Sequence, residues 1–345
     1  MACTTGTLMA MAPQEDGERP VATIVVPARN EEAAIAACLD SVLAQDEDRL
    51  QVVVVDGNST DRTPEIVKEY ATRDPRVELL HNPRQIIPVA LNLALGAARA
   101  PWLVRVDAHA AVPPDYVRRA VEHLRTGQWG AVGGRKDGVG HTPAGRAIAA
   151  AMASPFGVGN SMYHYGSIAT EVDHVPFGAY PVSLARQLGG WNEDLRVNQD
   201  FEFDYRVRAS GHAILFDPTL HVDWECRQSI AALFRQYRRY GRGKVRVAAL
   251  HPRSIAVRHL VAPGVVAWLT ASAVTALRRP RRGFAGALPY VLALAVASAL
   301  SGRSLPPDAR RWLPPAFAAM HLGWGIGFWE GIAENRRQWL RTVLR

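Results

Sequence analysis

Two aspartates each follow a run of apolar β-formers. Val52-Val53-Val54-Val55 leads into Asp56, then Gly57-Asn58-Ser59-Thr60-Asp61; Trp102-Leu103-Val104-Arg105-Val106 leads into Asp107, then Ala108-His109. A carboxylate at the mouth of a buried strand points into a crevice rather than a core. Together the pair fits a sugar-nucleotide site, one acid reading the nucleotide and one holding a metal. Asp107-Ala108-His109 offers two ligands at i and i+2. Carboxylate oxygen suits Mg²⁺ or Mn²⁺, and imidazole tilts the choice towards Mn²⁺. A capped turn would explain D-x-H equally well; its place at a strand end favours the metal. A third cluster, Asn198-Gln199-Asp200 with Glu202 and Asp204, opens a helix. Acids there also satisfy the helix dipole. Phe201, Phe203 and Tyr205 interleave, however, and a carboxylate half-buried by aromatics is expected to have a raised pKa, useful for a base.

The elements that must position these acids alternate. Val21–Val26 reads as a strand ended by Pro27, with Asn30 placed to cap the following helix and Ile35, Leu39, Val42 and Leu43 at helical spacing. Val52–Val55, Val77–Leu80 and Trp102–Val106 read as further strands; Thr63-Pro64 opens one helix and Pro88–Ala98 forms another. Such alternation predicts an α/β fold, a doubly wound and mostly parallel sheet with helices on both faces. Ligands then bind beyond the carboxyl ends of the strands, where Asp56 and Asp107 fall. Residues 130–254, rich in Gly, aromatics and charge, read as the acceptor-binding half of the same domain, which spans 20–254.

The chain has 345 residues, 48% of them hydrophobic, and a net charge of +8. That balance favours anionic partners. Three cysteines without a CxxC pair argue against a disulfide framework or structural zinc, and for a reducing compartment. Residues 1–19 carry Glu15, Asp16 and Glu18 and read as a disordered leader rather than a signal peptide. Arg235–Lys244 is basic with interleaved aromatics. It suits a diphosphate clamp, a membrane-surface helix or nucleic acid; the clamp is preferred, with the remaining basic residues facing lipid headgroups.

Residues 255–345 read as a membrane-associated helical region. Leu260–Leu277, Gly283–Gly302 and Trp312–Trp329 are stretches of eighteen to twenty residues without Asp, Glu, Lys or Arg, near the ~20 needed to span a bilayer. Arginines flank them. If all three span, Arg278–Arg282 and the Arg-rich tail fall outside, against the positive-inside tendency. An interfacial or re-entrant Leu260–Leu277 removes most of the conflict and leaves the catalytic domain cytoplasmic at the cell membrane.

Several motifs in order carry a family resemblance. Ile24-Val25-Val26-Pro27-Ala28-Arg29-Asn30-Glu31-Glu32, Val55-Asp56-Gly57-Asn58-Ser59-Thr60-Asp61 and Val106-Asp107-Ala108-His109 come first. Pro176-Phe177-Gly178-Ala179-Tyr180, Gly189-Gly190-Trp191-Asn192-Glu193 and Asn198-Gln199-Asp200-Phe201-Glu202 follow. Over roughly residues 20–250 the chain resembles the family 2 inverting glycosyltransferases of GT-A fold, and within them the succinoglycan-type bacterial exopolysaccharide glucosyltransferases. The resemblance implies that Pro27, Ala28 and Glu31 line the nucleotide pocket and that Asp56 bonds the uracil ring. Asp107, with help from His109, would hold the metal, and Asp200 would be the catalytic base. Gly178 and Ala179, with Gln236, Arg239 and Tyr240 as a Q-x-x-R-W-like element, would meet the diphosphate or the acceptor. Three departures stand out: His109 replaces the second acid of D-x-D, Gly57 replaces a second aspartate, and Tyr240 replaces Trp. The expected partners are a UDP-sugar donor, a lipid-linked saccharide acceptor and the membrane, with no nucleic acid. A nucleotidyltransferase would want a Gly-rich loop with a lysine, which Pro27–Glu32 lacks. A non-catalytic membrane module binding anionic polysaccharide or lipid would explain the arginines but not the acids at strand mouths.

Overall fold

Strands and helices alternate from the start of the computed structural model, which describes residues 19–343, with side chains as far as Arg336. The expected leader, apart from Arg19, and Arg345 of the tail lie outside the described residues, as do the side chains of Arg337 and Arg341. The first units are β1 (Ala22–Ala28), α1 (Ile35–Leu43), β2 (Leu50–Asp56), α2 (Thr63–Arg73), β3 (Val77–His81), α3 (Ile87–Ala97) and β4 (Trp102–Arg105). These strands pair in parallel, Ala28 of β1 lying beside Asp56 of β2. Both sheet faces are covered. Ile24 and Val26 join one core with α1 residues Ile35 and Leu39, while Val25 points to the other with α3 residues Leu91 and Leu95. Burial on both faces explains why β2 reads as continuous valine rather than an alternation.

The chain continues through β5 (Ala110–Ala111), α4 (Tyr116–Arg125), β6 (Trp129–Val139), α5 (Pro143–Met152), α6 (Pro155–Val158), β7 (Thr170–Val172), β8 (Ala179–Pro181), α7 (Val182–Gln187), α8 (Gln199–Ala209), β9 (Ala213–Glu225) and α9 (Ile230–Leu250). Among the described residues the sheet order is β3-β2-β1-β4-β8-β6-β9-β5, with β7 on β9. Only β5, β7 and β8 run antiparallel to their neighbours. The expected mostly parallel sheet is observed, and the irregular second half is woven into it.

Asn30 does not cap α1. That helix starts behind Ala34 with no side-chain cap. Asn30 instead adopts φ 54° and its Oδ1 accepts the Thr60 N–H at 2.8 Å, tying the loop after β1 to the loop after β2.

The C-terminal region comprises α10 (Arg258–Arg278), α11 (Pro280–Ser301), α12 (Pro307–Arg310) and α13 (Leu313–Val343). By length and composition α10 and α11 could each cross a membrane, and 6% and 11% of their apolar windows are buried. At 1.5 Å per residue each is about 32 Å long, close to a hydrocarbon core. Leu260–Leu277 lies within one continuous helix despite Pro263. It turns back at Arg279 into α11, where the Trp268 Nε1–H donates to the Gly286 carbonyl at 2.7 Å. The arginines 278–282 therefore form the tip of a hairpin.

The third apolar stretch behaves differently. Leu313, Ala316, Phe317 and Met320 of α13 are buried in the same core as β1 and α1. Backbones meet closely: a Cβ on Gly327 would lie 1.9 Å from the Arg238 carbonyl oxygen, and one on Gly241 2.1 Å from that of Trp324. Arg238 Nε pairs with Glu330 at 2.8 Å and Arg242 with Glu334 at 3.1 Å. These arginines, expected to face lipid headgroups, are the bolts between α9 and α13. Further along α13, the Trp324 and Trp329 indoles donate to the carbonyls of His259 and Pro263 on α10.

Candidate active site

A cavity of about 870 Å³ opens between the carboxyl edge of the sheet, α8 and α9, and the C-terminal helices. Asp107, His109 and Asp200 line it, as do Gln236, Arg239 and Tyr240 of α9. Six of the residues singled out from sequence are thus brought to one space. Pro27, Ala28, Glu31 and Asp56 are not in its lining; Pro27, Ala28 and Asp56 stand at the ends of β1 and β2.

The loops after β1 and β2 are laced together. The Glu31 N–H donates to Thr63 Oγ1 at 2.8 Å, Asn30 N–H to Ser59 Oγ at 2.9 Å, and Glu32 N–H to Asp61 Oδ2 at 3.1 Å. Asp56, 5% exposed, accepts the Ser59 N–H at 3.2 Å, so its carboxylate is fixed at the strand end.

Asp107 is gripped by Arg105, which ends β4 two residues earlier. Arg105 Nε donates to Oδ1 at 2.8 Å and its terminal nitrogen to Oδ2 at 3.3 Å. His109 is held at both nitrogens: Nδ1 lies 3.0 Å from Glu31 Oε1, and Nε2 accepts the Trp224 Nε1–H at 2.9 Å. An indole N–H only donates, so Nε2 spends its lone pair there. Burial opposes a second proton while Glu31 and Asp107 draw the ring's pKa up; gaining that proton would cost the Trp224 bond.

The expected divalent cation can be tested on this donor set. Each Asp107 oxygen keeps a lone pair beyond Arg105, whereas His109 has none unless Trp224 lets go. Among the described residues no cluster of three or more His, Cys, Asp or Glu could form an all-protein cage. One carboxylate together with substrate phosphates is a normal arrangement for Mg²⁺. Asp107 fits such a shared ion.

Lys136, on β6, stands over this group. Its Nζ is 3.5 Å from the Trp224 ring centre and 5.2 Å from that of Phe177. Burial pushes its pKa down to about 8, although Asp107 and Asp200 oppose the shift. Phe177 holds φ 53°, the left-handed region that bulky residues avoid.

Asp200 occupies the first turn of α8, where its Oδ1 accepts the Phe201 N–H at 2.8 Å. Its pKa is lowered, not raised as expected. Burial does push it up, but His174, Arg105, the Phe201 N–H and Lys136 together outweigh desolvation. Asp204, fully buried, is not a second base. It accepts from Val175 N–H at 3.0 Å and Tyr180 OH at 2.9 Å, and meets His174 Nδ1 at 2.7 Å.

On α9 the Gln236 amide donates to Tyr240 OH at 3.0 Å. One turn on, Lys244 is buried against the Phe201 ring, and burial lowers its pKa to about 6. Gly178 and Ala179 do not face the cavity. Ala179 pairs with Val104 and Val132 inside the sheet, and Pro176 and Phe177 reach the cavity instead.

Sequence reasoning gave no role to Arg105, Lys136 and Trp224, read His174 as structural, and included Lys244 only as the end of the basic Arg235–Lys244 run. Arg105 had a signal, a charge inside the apolar run of a buried strand. The others come from distant segments and had none.

Comparison with known proteins decides the class. Residues 23–178 match the family described as glycosyl transferase family 2. Over 325 residues the chain is 32% identical to the succinoglycan biosynthesis protein ExoA of Rhizobium meliloti (strain 1021), covering 91% of this chain and 96% of ExoA. The chain belongs to glycosyltransferase family 2. Among solved structures, this glycosyltransferase is similar to the mannosyltransferase PcManGT from Pyrobaculum calidifontis in complex with GDP-Man and Mn²⁺. The TM-score is 0.61 and the identity 25%, over 89% of this chain and 87% of that one. It shares its fold with S. aureus TarS 1–349 in complex with UDP-GlcNAc, at a TM-score of 0.52 and 18% identity over 92% of each chain. These likenesses bear out the GT-A-like architecture expected of the sheet.

Proposed function

We propose that this family 2 glycosyltransferase moves a hexose from a nucleotide-diphosphate donor, UDP-hexose first, to a lipid-linked saccharide, with inversion, during exopolysaccharide or cell-surface polysaccharide synthesis. One observation carries the reading: Asp107 and Asp200 line one cavity, and its far wall is formed by α10, α11 and α13. The kinship with ExoA supports the pathway, and the relatives' GDP-Man and UDP-GlcNAc complexes support a nucleotide-sugar donor.

In this mechanism Pro27, Ala28, Glu31 and Asp56 grip base and ribose. Asp107 would hold a divalent cation, Mn²⁺ or Mg²⁺, and such an ion would supply Lewis-acid stabilisation of the leaving diphosphate. Gln236, Arg239 and Tyr240 face the acceptor end. The Asp200 carboxylate accepts the proton of the acceptor hydroxyl as that oxygen attacks the anomeric carbon from the side opposite the diphosphate. The cations around Asp200 keep it ionised, so the base is always ready. The α10–α11 hairpin anchors the enzyme in the cell membrane with the catalytic domain, residues 20–254, on the cytoplasmic side.

The test is a donor panel of UDP- and GDP-sugars with detergent-solubilised enzyme and membrane lipid extract, read by mass spectrometry. Asp200→Asn should cut turnover about 10²–10⁴-fold, the usual scale of a general base, while sparing donor binding. Near-normal turnover removes Asp200 from the role. No sugar transfer from any donor by the wild-type enzyme sinks the whole reading.

A further inference from the structure

The cavity lining carries two carboxylates, Asp107 and Asp200, and among its cations Arg105 and Lys136, which both act on the two acids. The cations are used unequally. Arg105 spends its fork on Asp107. Lys136 has no hydrogen-bond partner among the described residues; its ammonium rests on the Trp224 ring and near that of Phe177. An aromatic seat offers an ammonium a ring face but no hydrogen-bond acceptor, so it satisfies the charge only in part. The ammonium lines the cavity that also holds Asp107 and Asp200, with its hydrogen-bond donors unspent on protein groups among the described residues.

The seat is itself held. Trp224 is pinned by its N–H to His109 Nε2, and His109 by Nδ1 to Glu31. Phe177 is kept in left-handed backbone, which persists only where the surroundings enforce it.

We propose that Lys136 is the enzyme's own cation for the departing diphosphate, and that His109 is a positioning residue that holds Trp224 beneath it rather than a metal ligand. The proposal rests on the nucleotide-sugar reading above. Lys136 contacts an oxygen on which negative charge accumulates as the glycosidic bond breaks, so its effect falls on the transition state more than on the bound donor. Protein and metal then divide the neutralisation: the ion on Asp107 and the ammonium from β6.

The test combines turnover with a binding readout. Lys136→Met should lower kcat about 10²–10³-fold, as loss of one transition-state donor does, with a much smaller change in donor KM. Lys136→Arg should restore part of kcat. Mn²⁺ binding in the presence of UDP, followed by electron paramagnetic resonance, should be retained in Lys136→Met and in His109→Gln, while His109→Gln loses kcat. Unchanged kcat in Lys136→Met overturns the role of Lys136. Loss of Mn²⁺ binding in His109→Gln makes His109 a ligand and overturns its positioning role. Both variants are measured beside an active wild type; absent UDP release from every UDP-sugar fails the donor reading, and the proposal with it.

Discussion

Two regions around the cleft are made by different physics. The proposed nucleotide wall is backbone-built: loops 29–34 and 57–63, about thirty residues apart in the chain, are joined by main-chain N–H groups donating to short polar side chains. The opposite wall is long-range and charge-built. Lys136 sits on Trp224, Asp200 answers to His174 and Arg105, and Lys244 is buried against Phe201. The first wall tolerates water and loses little when one bond goes. The second stores desolvated charge, so single changes there have large and sign-dependent effects.

That contrast can be broken at three points of decreasing size. Asp107→Asn removes the shared ion's anchor and leaves Arg105 buried opposite an amide. Metal-dependent turnover should fall about 100-fold or more, since a Lewis-acidic ion supplies several kcal/mol, and the Tm should drop. An unaltered Mn²⁺ titration of activity would show that Asp107 is not the anchor.

Lys244→Met should stabilise the protein by about 1–4 kcal/mol, the range seen when buried charge gives way to apolar packing. Its pH dependence gives the sign. The native pKa is about 6 against an ordinary 10.5, so above pH 6 the unfolded chain binds the extra proton and wild-type stability rises with pH. The advantage of Met is therefore largest near pH 6 and shrinks towards pH 9. Thermal melts at both pH values check this, and a gap that widens with pH contradicts it.

Thr63→Val tests the nucleotide wall. It deletes the acceptor for Glu31 N–H and the donor to Asp61 Oδ1. A loss of about 1–2 kcal/mol is expected, appearing as a raised donor KM with kcat nearly intact. A kcat effect as large as that of Asp107→Asn would erase the distinction between the walls.

The same division governs what could be read from the chain. β1 to β4, α2 and α3 are local, and hydrophobic period with Pro and Thr punctuation located them to within a residue or two; α1 was found, but it starts at Ile35 rather than after Asn30. Asp107 and Asp200 were legible because each sits at the end of a patterned element. The pKa of Asp200 was not, because its direction is set by residues from three other segments. Asn30 looked like a cap because its role as a loop tie depends on Thr60, thirty residues on. Arg238 and Arg242 looked free because Glu330 and Glu334 lie 92 residues away. Trp312–Trp329 has the composition of a membrane span, yet packing against α9 and the core made it an internal helix.

The close seating of α13 has a mechanical meaning. Glycines let α9 and α13 meet backbone to backbone, and two indoles fasten α13 to α10. Hairpin and cleft therefore share one rigid frame. With the hairpin in a bilayer, the height of Asp200 above the lipid surface is a constant of the molecule, and the enzyme works as a gauge. On the proposed lipid-linked reading, the acceptor hydroxyl would have to stand at that height to meet Asp200.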